Sequence, residues 1–209
     1  MMFFLEKNLL IYNYPMILIY FIGCGGVIML DNIDNNLNAL IQQLDRETMG
    51  HCIGMQHMAI DFENYLGIND QTLSTSALLC DLGKLYLSPY ILTKQDMLTN
   101  FEIDLLYMHP YFSYKIINQY YVEPKVQNLV LYHHQKSRNI SINDNLPPYE
   151  SSLENLYTTL ELIDAYQSLV EYRTYRSSMY SPSDAYEILK KEGSFNEDGL
   201  DYIKKNYLF

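Results

Sequence analysis

Five histidines and a few isolated acids carry whatever chemistry this 209-residue chain performs: His51, His57, His109, His133 and His134. Glu47 and His51 stand four residues apart, so both project from one face of one helix. Cys80 and Asp81 come just before Gly83 and Lys84. His109 precedes Pro110, and His133 and His134 form a doublet. Asp164 sits alone in the apolar run Leu160-Glu161-Leu162-Ile163-Asp164-Ala165, where an ionised carboxylate needs a partner. Imidazole and carboxylate together make a ligand set for Fe, Mn or Zn. A thiolate at Cys80 would add a softer, anionic donor. As a neutral thiol, Cys80 would behave as a small apolar residue. His57 lies six residues after His51, about 240° further round a helix, and so falls outside the set.

Residues so far apart in sequence meet only if helices bring them to the core of a bundle, where such metal sites are built. The apolar spacing supports this. Leu37, Leu40, Ile41, Leu44, Cys52, Met55, Met58, Ala59, Phe62 and Leu66 follow a helical period, with Gly67 as a stop. A second helix is expected over 72–82, ending at Gly83. Thr99 with Glu102 makes a capping box. Pro110 should kink or restart that helix at His109. Pro124 opens a helix over 125–134. Residues 137–152, rich in Pro, Asn and Ser, read as a loop. Further helices are expected over 153–170, from Ser181 to Gly193, and over 197–206. Strand signals after residue 31 are negligible, so the expected fold class is all-α.

The net charge is −11, from 14 Lys and Arg against 25 Asp and Glu. This excludes a DNA or RNA binder that works through a broad basic face. Lys84, Arg173 and Arg176 therefore stand out as cations near the candidate ligands. Three cysteines, Cys24, Cys52 and Cys80, give no disulfide framework, and a reducing compartment follows. Residues 1–30 form an apolar segment distinct from a helical domain over 31–209. Leu9 to Leu30 carry no charge and are long enough to cross a bilayer. Asn13, Pro15 and three glycines interrupt the run, and its flanking charges orient it weakly. A membrane anchor, two buried strands, the remnant of an upstream domain and a true start at Met29 all fit.

The ordered motifs over residues 37–206 resemble the HD-GYP subfamily of the HD-domain metal-dependent phosphohydrolases. Ala77-Leu78-Leu79-Cys80-Asp81-Leu82-Gly83-Lys84-Leu85 is similar to the family signature A-L-L-H-D-I-G-K-I, with Cys80 in place of its histidine. Ile91-Leu92-Thr93-Lys94, Leu98-Thr99-Asn100-Phe101-Glu102, Met108-His109-Pro110 and His133-His134-Gln135 resemble later motifs. Asp164-Ala165-Tyr166-Gln167-Ser168-Leu169 and Tyr172-Arg173-Thr174-Tyr175-Arg176 resemble the Asp-rich helix and the Arg-Pro-Tyr segment. Three departures stand beside Cys80: the Gly-Tyr-Pro loop is missing after His134, Gln167 replaces an Asp, and Thr174 replaces a Pro.

The resemblance implies an HD-type helical bundle and hydrolysis of cyclic di-GMP by a metal-activated water in the cytoplasm. It implies two or three divalent ions, Fe or Mn first and Zn as a further candidate. Glu47, His51, Asp81, His109, His133, His134 and Asp164 would be ligands, with Cys80 as a further one. Two ions clamping a phosphate oxygen and activating water would do the chemistry. Asp81 would bridge them, and Lys84 would stabilise charge on the phosphoryl group. Arg173 and Arg176 would grip the phosphates. The alternatives are a degenerate domain that binds a nucleotide or protein partner without turnover, and a phosphatase acting on another phosphate ester.

Overall fold

A computed structural model describes residues 34–120, 122–134, 145–173 and 178–208. The apolar segment 1–30, with Cys24 and its alternative readings, lies outside the described residues, as does Arg176. Among the described residues there is no strand. No helix among them is long and apolar enough to cross a membrane.

The helices, in chain order, are α1 (Asn35–Ile41), α2 (Arg46–Leu66), α3 (Thr72–Leu79), α4 (Pro89–Leu92), α5 (Asn100–Leu106), α6 (His109–Ile117), α7 (Pro124–Tyr132), α8 (Glu154–Val170), α9 (Pro182–Glu192) and α10 (Glu197–Tyr207). Short 3₁₀ turns cover Leu82–Tyr86 and Ser151–Leu153. The long apolar series from Leu37 divides between α1 and α2. Asp45 breaks it, because its carboxylate accepts the Glu47 and Thr48 backbone N–H groups and starts α2 afresh. Gly67 closes α2 at φ 70°, a conformation only glycine adopts cheaply. The Thr99–Glu102 capping box forms in both directions. Tyr107 and Met108 separate α5 from α6, which begins at His109 with Pro110 in its first turn.

The expected helix over 72–82 stops at Leu79 instead. The chain then tightens into the 3₁₀ turn, and Gly83 lies inside it rather than capping anything. The reason is a close approach to α6. A Cβ on Gly83 would collide with the His109 carbonyl oxygen and stand 2.5 Å from the Ser113 backbone nitrogen. Ser113 Oγ donates to the Cys80 carbonyl at 2.6 Å and accepts the Gly83 N–H at 2.7 Å. One hydroxyl thus ties the turn that carries Cys80 and Asp81 to the helix that carries His109.

The core lies where α2, α3, α7 and α8 face one another, filled by Met55, Phe62, Leu73, Leu79, Leu129 and Leu160. Burying a side chain of this size contributes roughly 1.5–3 kcal/mol relative to exposure. α6 packs on the 3₁₀ turn and α7, and α9 packs on α8. The polar site sits within this helical frame.

Candidate metal centre

Five separate elements supply the site. His51 comes from the second turn of α2 and Asp81 from the turn after α3. His109 opens α6, His133 caps the C-terminus of α7 with His134 next to it, and Asp164 lies inside α8. His51, Asp81, His109 and His133 are all buried, at 4% exposure or less. The Asp164 and His134 side chains retain 19% and 20% and form the more open side.

Two histidines are locked by backbone. His109 Nδ1 donates to the Leu106 carbonyl, and His133 Nδ1 donates to the Val130 carbonyl, each at 2.7 Å. A carbonyl can only accept, so the proton of each neutral ring is fixed on Nδ1. Both rings are neutral, since burial, with the Lys84 charge beside His109 and the neighbouring histidines beside His133, pushes their pKa values down, His109 to about 4 and His133 well below its usual value. Each Nε2 is therefore a bare lone pair. Yet these two nitrogens face each other at 3.2 Å, and Asp81 Oδ1 stands 3.2 Å from His109 Nε2. Three acceptors converge with no proton to share between them.

That arrangement is unfavourable unless a cation sits among them. Two nitrogens bound to one ion at roughly 2.1 Å stand about 3.0–3.4 Å apart, so the observed spacing suits a shared metal. His109, His133 and His134 each offer a nitrogen within 4.8 Å of the others, as do Cys80, Asp81 and His133 with one donor atom apiece. The residues thus fit a divalent metal ion, and these groups could hold one.

The other half of the site is salt-bridged. His51 Nε2 stands 2.9 Å from Asp164 Oδ1 and 3.9 Å from Asp81 Oδ2, and His134 Nε2 stands 3.5 Å from Asp164 Oδ2. Burial alone would depress His51. The charge of Glu171 and hydrogen bonds to Asp164 and Glu171 outweigh it and raise the ring to about 9. Burial opposes ionisation of Asp81 too, but Lys84, His109 and His51 hold its carboxyl below the usual range. Lys84 Nζ donates to Asp81 Oδ2 at 2.7 Å. Asp81 thus lies between the two halves, one oxygen toward His109 and the other toward Lys84 and His51.

Cys80 is buried, and its Sγ lies 3.4 Å from the Ala77 carbonyl. Burial and the charge of Asp81 push the thiol pKa well up, so without a metal it is a neutral thiol. Glu47 lies one turn before His51, half-buried, and belongs to neither three-donor group. His57 is exposed, away from the site. Arg173 is not an open helix-face cation: it is buried, with Nη2 3.3 Å from Ser168 Oγ and 3.6 Å from Glu171 Oε2. Gln167 donates to the Gly54 carbonyl at 3.2 Å.

Sequence reasoning missed Glu171, whose Oε2 lies 2.8 Å from His51 Nδ1. A signal existed: Glu171 follows Asp164 by seven residues, two helical turns on the same face. It also missed Ser113, for which no local signal exists, because its partners are 30 and 33 residues away.

No protein-family model, curated protein or solved structure matches the chain.

Proposed function

We propose that this chain is a metal-dependent phosphohydrolase of the HD type, with cyclic di-GMP as its first candidate substrate. One observation carries the reading. Asp81 Oδ1, His109 Nε2 and His133 Nε2 converge as acceptors without a proton between them. In this reading those three residues hold one divalent ion, Fe or Mn first and Zn as the further candidate. Asp81 is shared with a second position formed by His51, His134 and Asp164. Bound ions would polarise a phosphoryl oxygen and make water a nucleophile near neutral pH.

The chain's own groups have separate tasks. Lys84, already on Asp81 Oδ2, places a fixed positive charge beside the reacting phosphoryl group. Arg173 supplies a second cation near Glu171 and Ser168. The substrate class follows from the motif resemblance and not from the fold alone, since one fold hosts many chemistries. The supporting assay is turnover of cyclic di-GMP by protein loaded with Mn²⁺ or Fe²⁺. Product should form with metal, stop on chelation, and be lost in Asp81→Asn.

The second reading, nucleotide binding without turnover, has its own support. Gln167 is turned to the Gly54 carbonyl and the Met58 sulfur at 3.8 Å, not toward the donor cluster. Cyclic di-GMP retained by metal-loaded protein without hydrolysis would establish that reading.

A further inference from the structure

His51 has a different problem from the other two buried ligands. His109 and His133 sit at helix ends, so each Nδ1 reaches the backbone carbonyl three residues earlier. His51 lies inside α2, where the preceding carbonyls are occupied by the helix's own ladder. A side chain must orient its ring, and among the described residues Glu171 does so: its Oε2 lies 2.8 Å from Nδ1, leaving Nε2 toward Asp164 at 2.9 Å.

The seat for that carboxylate is built by a glycine. Gly54 lies one turn after His51 on α2, in a helix interior that glycine weakens. A Cβ there would stand 2.6 Å from Glu171 Oε1 and 3.1 Å from Gln167 Oε1. The position is thus kept clear for the carboxylate. Arg173 Nη2, 3.6 Å from Glu171 Oε2, flanks it on the other side.

We propose that Glu171, seated over Gly54, is the positioning residue that fixes the His51 ring so that Nε2 is presented to a metal ion. The inference rests on the metal-centre reading above. Glu171 does not touch the ion; it holds Nδ1–H and sets which nitrogen faces inward. Carboxylates placed on the outer nitrogen of a ligating histidine act in this way, and their loss typically weakens metal binding about 10–100-fold.

The test uses Zn²⁺ as the probe on the full chain, with ¹⁵N-labelled histidine. In the Zn²⁺-loaded wild type, the downfield Nδ1–H resonance of His51 should be present and slow to exchange. Glu171→Ala should lose that resonance and bind Zn²⁺ about 10–100-fold more weakly. Glu171→Gln keeps an acceptor oxygen and should retain the resonance with a smaller loss of affinity. Gly54→Ala changes no titratable group, yet should shift the carboxylate tip and weaken both the resonance and Zn²⁺ binding, by less than Glu171→Ala does. Wild-type affinity together with an intact Nδ1–H resonance in both alanine variants would overturn the proposal. If the wild type takes up no Zn²⁺, the metal reading falls. The same resonance, followed in metal-free protein, then decides the role of Glu171: its persistence in Glu171→Ala overturns the positioning role.

Discussion

At the scale of single residues, the centre is a set of protons in the wrong number for a metal-free core. His109 and His133 have none to offer each other, while His51 holds one more than an isolated imidazole would at neutral pH. Stability should therefore depend on pH in both directions. His51 is raised from 6.5 to about 9, so its contribution is fully present below 6.5 and is lost as pH rises through 9. The size is on the order of 3 kcal/mol. His109 is lowered to about 4, so its contribution is present above 6.5 and is lost as pH falls toward 4. Urea midpoints of metal-free protein at pH 6.5 and 9.5 check the alkaline limb. The stability gap between wild type and His51→Gln should shrink at the higher pH; a constant gap would show that His51 is not held protonated. Cys80 permits a second prediction at this scale. Cys80→His places a neutral nitrogen beside Asp81 in the Cys80, Asp81 and His133 group, where a metal stays a stronger Lewis acid than with a thiolate. Metal occupancy and phosphodiesterase turnover should rise together. A fall in both would mark the thiolate as an adapted ligand.

At the scale of elements, the site depends on how close the 3₁₀ turn comes to α6. Gly83 permits the approach and Ser113 fastens it, through the Cys80 carbonyl and the Gly83 N–H. Gly83→Ala must push the turn away, at a cost of about 1–3 kcal/mol or more, as for other overpacked positions. Because the displaced elements carry Asp81 and His109, metal affinity should fall as well. Ser113→Ala leaves two buried backbone groups without this hydroxyl, which costs about 1–3 kcal/mol. Chemical unfolding and metal titration of both variants check the two effects. Unchanged metal affinity in Gly83→Ala would show that the turn can move without disturbing the ligands. The elements also show what a sequence can tell. Helix starts at Thr99, Pro124 and Ser181 were legible because their signals are local: a capping hydroxyl or a proline in the first turn. The end of α3 was not, because Gly83 answers to α6 across 26 residues and not to its own helix.

At the scale of the whole molecule, the all-helical architecture of the described residues was readable from periodicity, since amphipathic spacing is set by burial itself. Residue types and motif order grouped Glu47, His51, Asp81, His109, His133, His134 and Asp164, with Cys80 as a further member; contacts of 3.9 Å or less link His51, Asp81, His109, His133, His134 and Asp164, while Glu47 belongs to neither three-donor group. Their pairing was not legible: which nitrogen carries a proton depends on carbonyls that only folding places nearby. Glu171 was missed because a glutamate at a helix end is most often solvated; its seven-residue spacing from Asp164 is a weak signal, and the room left for its carboxylate at Gly54 exists only after folding. Arg173 was expected to grip a phosphate; its burial and its contacts with Ser168 and Glu171 depend on packing that the sequence does not display. In the metal-centre reading, these separately held side chains form one cation site. Calorimetric titration of Mn²⁺ or Zn²⁺ into metal-free wild type, Asp81→Asn and His133→Gln tests it most directly. Saturable binding of at least one ion per chain is expected in the wild type, severely weakened in both variants. Equal binding by all three proteins, or none by the wild type, would contradict it.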